Sequence, residues 1–364
     1  MYKISIIIPV YNMEKYLTQC LTTVLNQTLF KESEVICIND GSSDSSAEIL
    51  SKYEKENKNI IIINQQNTGV GIARNNGIRY ATGEFIAFMD PDDYYIENNS
   101  LEVLYKCAKK HNVLICGGSL SEDHNDGKWI RKNFDGIYKK YTFKTEEKIL
   151  YKDYQFDFGF YRFIYNREFL LQNDIFFPPY IRFQDPPFFV KAMITAGEFY
   201  AIPNYTYCYR YGHQHLIWDE NRICALMKGH IDDLRMSAEA GLGELHRLTL
   251  HRLVNISRDC IAKGLEQESS QVLTLLKDAE DSIDRDILPL NCETTSVRQF
   301  FFEYFKEAQQ NKMRILFLEE KLKKQTDKKP LKSDKSEEYT IKSLMSKIKN
   351  RSVRLIKQIK NRGR

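Results

Sequence analysis

No C-x-x-C pair occurs among the eight cysteines, which fall singly at positions 20, 37, 107, 116, 208, 224, 260 and 292. That scatter argues against a zinc site or a disulfide scaffold and favours a reducing compartment, with Cys20 and Cys37 packing as small apolar groups. No apolar run approaches the length of a membrane span. The opening MYKISIIIPVYN is too short for a signal peptide, is ended by Pro9 and leads to no small-residue cleavage site, so a cytoplasmic chain is expected. A strong charge of either sign is missing as well. The formal net charge is +4, yet residues 341–364 carry nine Lys and Arg and no acid, which leaves −5 on the remainder. A specific nucleic-acid binder is therefore not expected, whereas a basic tail is. Nucleotide fingerprints are absent too. TGVGIARNNG supplies Gly69 and Gly71, but Arg74 stands where G-x-G-x-x-G needs its third glycine, and no G-x-x-x-x-G-K-[ST] exists.

What is present is a regular alternation over the first ninety residues. ISIII (4–8) is β-branched and continuous, as a strand buried on both faces should be. Tyr16, Leu17, Cys20, Leu21, Val24 and Leu25 then follow at helical spacing. EVICI (34–38) and IIIIN (60–64) read as the next strands, separated by a helix that begins near Asp44. Residues 70–81 read as a helix and EFIAFMD (84–90) as the fourth strand. Such alternation implies a mostly parallel, doubly wound α/β sheet. PVYN (9–12), NDGSSD (39–44), NTGVGIARN (67–75) and DPDD (90–93) then all leave from the carboxyl edge, where open α/β sheets bind ligands. From 100 to 215 shorter, aromatic-rich elements are expected, and 219–326 read as mainly helical.

The tight cluster of Asp90, Asp92 and Asp93 has two readings. It is an acidic turn, or a site where carboxylates and phosphate oxygens share one hard cation. SIIIPVYN, INDGSSD, N-x-G-x-x-x-ARN-x-G and FMDPDD, in this order, resemble the nucleotide-sugar domain of family 2 glycosyltransferases. These are inverting enzymes of the GT-A (Rossmann-like) fold, many of them builders of bacterial surface polysaccharide. The resemblance covers about residues 1–215, divided into a nucleotide-binding half (1–98) and an acceptor-side half (99–215). It implies that Pro9, Val10, Tyr11 and Asn12 line the nucleoside pocket, with Tyr11 against the base. It further implies that Asp40 accepts from a uracil ring and that Asn67 and Arg74 lie near base and diphosphate. Asp90, Pro91 and Asp92 would meet the ribose and a Mn or Mg ion, with Asp92 the main metal ligand. Asp93 would order the loop or meet the sugar.

FQDPPFFVKAM resembles the family's later Glu-Asp motif, which makes Asp185 the candidate catalytic base; Gln184 departs from the Glu of many relatives. Asp185 before Pro186 also suits a helix N-cap. In YCYRYGHQHLIWD, His213, His215 or Arg210 could reach metal or diphosphate, and Trp218 and the aromatics of 156–165 could stack on sugars or pack as core. A helical region (216–326), a charged linker (327–340) and a basic amphipathic tail helix (341–364) complete the expected organisation. The tail suits an anionic membrane surface; the alternatives are RNA or a partner subunit of a homo-oligomer. The expectation is a transfer from a UDP-sugar to a glycan or lipid-linked acceptor at the inner face of a bacterial membrane. The alternatives are a catalytically silent nucleotide-binding scaffold and a sugar nucleotidyltransferase, the latter disfavoured by the lack of a glycine-rich basic loop near the start.

Overall fold

The computed structural model describes residues 2–289 apart from 125–129 and 213–216, together with isolated positions between 296 and 313. His213, His215, the charged linker and the basic tail lie outside the described residues. Two compact units are present, residues 1–250 with 281–292 and residues 251–280 with 293–364.

The first unit is built on one nine-stranded sheet. β1 (Ile4–Val10), β2 (Ser33–Asn39), β3 (Ile60–Asn64) and β4 (Phe85–Phe88) pair in parallel, with β1 central between β2 and β4. Every residue of β1, β2 and β4 is buried, which is why their sequences run apolar without alternation. Pro9 is tolerated in this central strand because the β1–β4 register ends at Ile7↔Phe88, so its missing N–H costs no ladder bond on that side. The connecting helices are α1 (Glu14–Leu25), α2 (Ser46–Glu56) and α3 (Val70–Tyr80). α3 packs on β1 so closely that a Cβ on Gly77 would lie 2.4 Å from Ile7.

β4 is shorter than EFIAFMD suggests. The chain turns back at once, with the Asp93 N–H donating to the Asp90 carbonyl at 3.0 Å across a turn that has Pro91 in its second position. After α4 (Ser100–His111) the chain returns to the same sheet through β5 (Ile115–Asp123), β6 (Ile130–Arg131), β7 (Glu147–Leu150), β8 (Phe163–Asn166) and β9 (Glu198–Arg210). The order is β3-β2-β1-β4-β8-β5-β9-β7, with β6 beside β5. β8 runs antiparallel between β4 and β5, while β9 is parallel to β5. The sheet thus keeps six strands in one direction, as the alternation implies for its first half.

The second half packs around buried polar and aromatic groups. Arg162 is fully buried, donating to the carbonyls of Gly118 and Lys140 and to the Tyr154 hydroxyl, with Phe143 and Phe163 against its guanidinium. The short helices α5 (Tyr151–Tyr154) and α6 (Arg167–Gln172) precede α7 (Asp185–Ala196), and α7 packs on α8 (Glu220–Glu239). Gly229 of α8 faces the Phe183 carbonyl, and a Cβ there would stand 2.4 Å away. α9 (Gly243–His251) follows α8, and the described part of the second unit is helical, with α10 (Arg258–Glu266) and α11 (Ser270–Asp281). Among the described residues no helix is long and apolar enough to cross a membrane.

Candidate active site

A cleft of about 940 Å³ opens along the sheet edge where β1, β2, β4, β5 and β9 end and β8 begins. One side carries Pro9, Val10 and Tyr11 after β1, Asp40 after β2, Asn67 and Arg74 around α3, and Asp90, Pro91 and Asp92 after β4. The other carries Glu122 and His124 from the end of β5, Tyr138, Tyr141, Phe158, Phe160 and Tyr161 before β8, and Tyr209 and Tyr211 around the end of β9. Asp185 at the start of α7 also lines it. Residues from four loops of the parallel half and from a helix ninety-odd positions later therefore meet in one space.

Each aspartate of the turn has a different environment. Asp93 is buried and points away from the cleft lining: its carboxylate accepts from the Tyr207 hydroxyl at 2.7 Å and from the Arg210 N–H at 2.7 Å. Of its two expected duties, the structure places it in loop ordering. Tyr207 uses the same hydroxyl oxygen to accept from the Asp90 N–H at 3.0 Å, so one phenol holds both ends of the turn. Asp90 bridges to Arg74 at 2.6 Å. Burial raises its pKa, with the Arg74 charge opposing and the Asp92 charge adding to the rise. Asp92 lines the cleft, and its carbonyl accepts from the Arg210 Nε at 2.9 Å.

Arg74 lies in the cleft, whereas Arg210 does not. Arg74 is 4% exposed, lies over the rings of Phe160 and Phe177, and lines the cleft beside Asp90, to which it is ion-paired. Arg210 is not part of the lining. Its donors are committed to Asp92, Asp123 and Gln19, and Tyr16 and Tyr94 flank it, so it braces the turn rather than reaching toward a diphosphate.

Asp40 is 3% exposed, and its carboxylate gathers the loop before α3: it accepts from Gln65 Nε2 at 2.8 Å and from the N–H groups of Thr68 and Gly69 at 2.8 and 2.9 Å. Gly69 has φ +94°, a value that favours glycine and lets its N–H turn back to Asp40. Asn12 stands beside the lining with φ +53°, its side-chain oxygen accepting from the Ser43 N–H at 2.8 Å. It joins the loops after β1 and β2. Tyr11 is 47% exposed and offers a free aromatic face at the mouth.

Asp185 is the first residue of α7, one position inside the cap, which is Gln184, with Pro at the N1/N2 positions. Burial raises its pKa; Arg74 and Arg182 oppose that rise, and Asp90 adds to it. Immediately before it Phe183 has φ +60°, a strained value for a phenylalanine, held by contact with Gly229 and with the His230 ring at 4.2 Å. Of the aromatics at 156–165, Phe158, Phe160 and Tyr161 line the cleft, whereas Phe156, Phe163 and Tyr165 are core. Sequence reasoning singled out neither Tyr138 and Tyr141 nor Tyr207, whose partners lie more than a hundred residues away.

Comparison with known proteins gives a consistent result. Residues 5–171 match the model of glycosyl transferase family 2. The poly(ribitol-phosphate) beta-glucosyltransferase of Bacillus spizizenii is 34% identical over 217 residues, covering 57% of this chain and 32% of that protein. The uncharacterized glycosyltransferase EpsJ of Bacillus subtilis is 31% identical over 211 residues, covering 57% of this chain and 60% of that protein. The chain thus spans less than two thirds of the length of either relative. The crystal structure of S. aureus TarS 1-349 in complex with UDP-GlcNAc superposes with a TM-score of 0.61 at 22% identity, covering 78% of this chain and 82% of that one. At that identity the likeness speaks to the fold. The four motif loops that converge on the cleft all fall within residues 5–171, the segment similar to glycosyl transferase family 2, on a fold of the GT-A type.

Proposed function

We propose that this protein transfers a sugar from a UDP-sugar to a hydroxyl of a glycan or lipid-linked acceptor, with inversion, in bacterial surface-polysaccharide synthesis. The observation that carries this reading is the meeting of Asp40, Arg74, Asp90, Asp92 and Asp185 in a single cleft. Curated relatives named for teichoic-acid and polymer glycosylation, and neighbours with UDP or UDP-GlcNAc bound, support the same reading.

On this reading Tyr11 stacks on the base at the mouth, and the loop organised by Asp40 receives the uracil edge. Asp90, ion-paired to Arg74, and Asp92 offer only oxygen ligands, and that donor set fits Mn²⁺ or Mg²⁺. Such an ion, when bound, offsets charge developing on the leaving diphosphate. Asp185 takes the acceptor's proton, and the burial that raises its pKa makes it a stronger base than an ordinary carboxylate. Tyr138, Tyr161 and Tyr209 form the aromatic wall against which the acceptor rests.

Asp185→Asn tests the central role. It should leave UDP affinity nearly unchanged while lowering sugar transfer by about 10²- to 10⁴-fold, the usual range for loss of a general base. A substantially active Asp185→Asn protein would exclude it as base. Wild-type protein that binds UDP with Mn²⁺ yet turns over no UDP-sugar would point instead to a silent nucleotide-binding relative.

A further inference from the structure

Remote from the cleft, α4 and the loop before β7 bring together three side chains that no step of the proposed reaction uses. Cys107 and His111 stand four residues apart on one face of α4, and Glu146 immediately precedes β7. One ligand atom from each lies within 4.8 Å of the others. His111 Nε2 is 3.1 Å from Glu146 Oε1, and the imidazole is fixed by stacking on Tyr200 of β9 at 3.7 Å with an interplanar angle of 13°. Cys107 is buried, and the neighbouring Cys116 thiol lowers its pKa through a hydrogen bond. Lys110, which also pairs with Glu146 at 3.0 Å, is 67% exposed.

We propose that Cys107, His111 and Glu146 form a zinc site that ties the edge strand β7 to α4. One thiolate, one imidazole and one carboxylate are ligands suited to tetrahedral Zn²⁺, whereas Mg²⁺ and Mn²⁺ prefer all-oxygen sets such as Asp90 and Asp92. Three protein ligands leave a fourth position for water. The scattered cysteines argue against zinc only in the C-x-x-C sense; here the helix supplies two ligands and a residue 35 positions further on the third. The benefit is mechanical. β7 has four residues, mostly exposed, and among the described residues pairs with β9 alone, so a metal bond to α4 would secure the end of the sheet.

The test is Co²⁺ titration of the chelator-treated full-length protein under reducing conditions. A thiolate-to-cobalt charge-transfer band should saturate at one equivalent, and Zn²⁺ should bleach it and raise the melting temperature. Cys107→Ser should abolish the band, and His111→Ala and Glu146→Gln should each weaken Co²⁺ binding by about tenfold or more. Asp92→Ala and Cys260→Ser should leave it intact, which separates this site from the nucleotide-sugar cleft. Absence of the band, or undiminished affinity in His111→Ala and Glu146→Gln, would overturn the proposal. Those two partly exposed positions decide the matter even if Cys107→Ser does not fold.

Discussion

Asp185 carries a raised pKa because it is buried, and two arginines limit the rise. The active form of a base is the carboxylate, so transfer should fall as pH drops through that raised value rather than through the ordinary aspartate range near 4. Arg182→Ala removes one of the opposing charges, and the acid limb of the kcat profile should move to higher pH. A limb that stays in place would dissociate Arg182 from the base. Tyr207→Phe gives a second expectation at this scale. It strips a hydrogen bond from the Asp93 carboxylate and another from the Asp90 N–H, both within the turn. Mn²⁺-dependent UDP affinity should fall several-fold although Tyr207 does not line the cleft, and chemical denaturation should show a loss of about 2 kcal/mol. Unchanged affinity by calorimetric titration would mean that the turn keeps its shape without the phenol. These contacts were illegible in the sequence because Tyr207 and Asp93 are 114 positions apart, and only the sheet brings them together.

Among the elements, β1 to β4 could be read directly, since strands buried on both faces must be apolar throughout and their loops must be polar. β8 and β9 could not. FIYN is short, and β9 is rich in tyrosines that serve as wall, core and hydrogen-bond donor in turn, so no single period marks it. The far end of the parallel strands has a device of its own. Glu34, buried near the start of β2, accepts from the Ser5 hydroxyl at 2.6 Å, from the Thr82 N–H at 2.6 Å and from the Gly83 N–H at 3.1 Å. It pins the α3–β4 connection to β1 and β2. Glu34→Ala takes this acceptor from the Ser5 hydroxyl and the Thr82 N–H, while the Gly83 N–H keeps Ser5 Oγ at 2.8 Å, and should cost about 3 kcal/mol of stability. UDP affinity of the folded fraction should not change, because Glu34 sits at the opposite end of β2 from Asp40. Urea denaturation combined with UDP titration separates the two effects, and a loss of affinity would contradict the assignment.

At the scale of the whole molecule, the acidic balance of residues 1–340 and the basic run of 341–364 suggest separate duties. Removing 331–364 should release the protein from anionic vesicles without lowering its melting temperature, and a truncated protein still bound in a sedimentation assay would refute a lipid-binding tail. The motifs that made the cleft legible lie in the first hundred residues, yet what holds them in place does not. Arg210, at the end of β9, braces the Asp92 carbonyl, and Tyr207 secures Asp90 and Asp93. That arrangement bears on how acceptor preference could be exchanged between relatives. A chimera joined anywhere between residues 98 and 198 would inherit its acidic turn from one parent and the brace for that turn from the other. The acidic turn and the strand that braces it are therefore not separable modules. A working hybrid must either carry β9 along with β4 or find a second parent whose β9 ends in the same tyrosine and arginine.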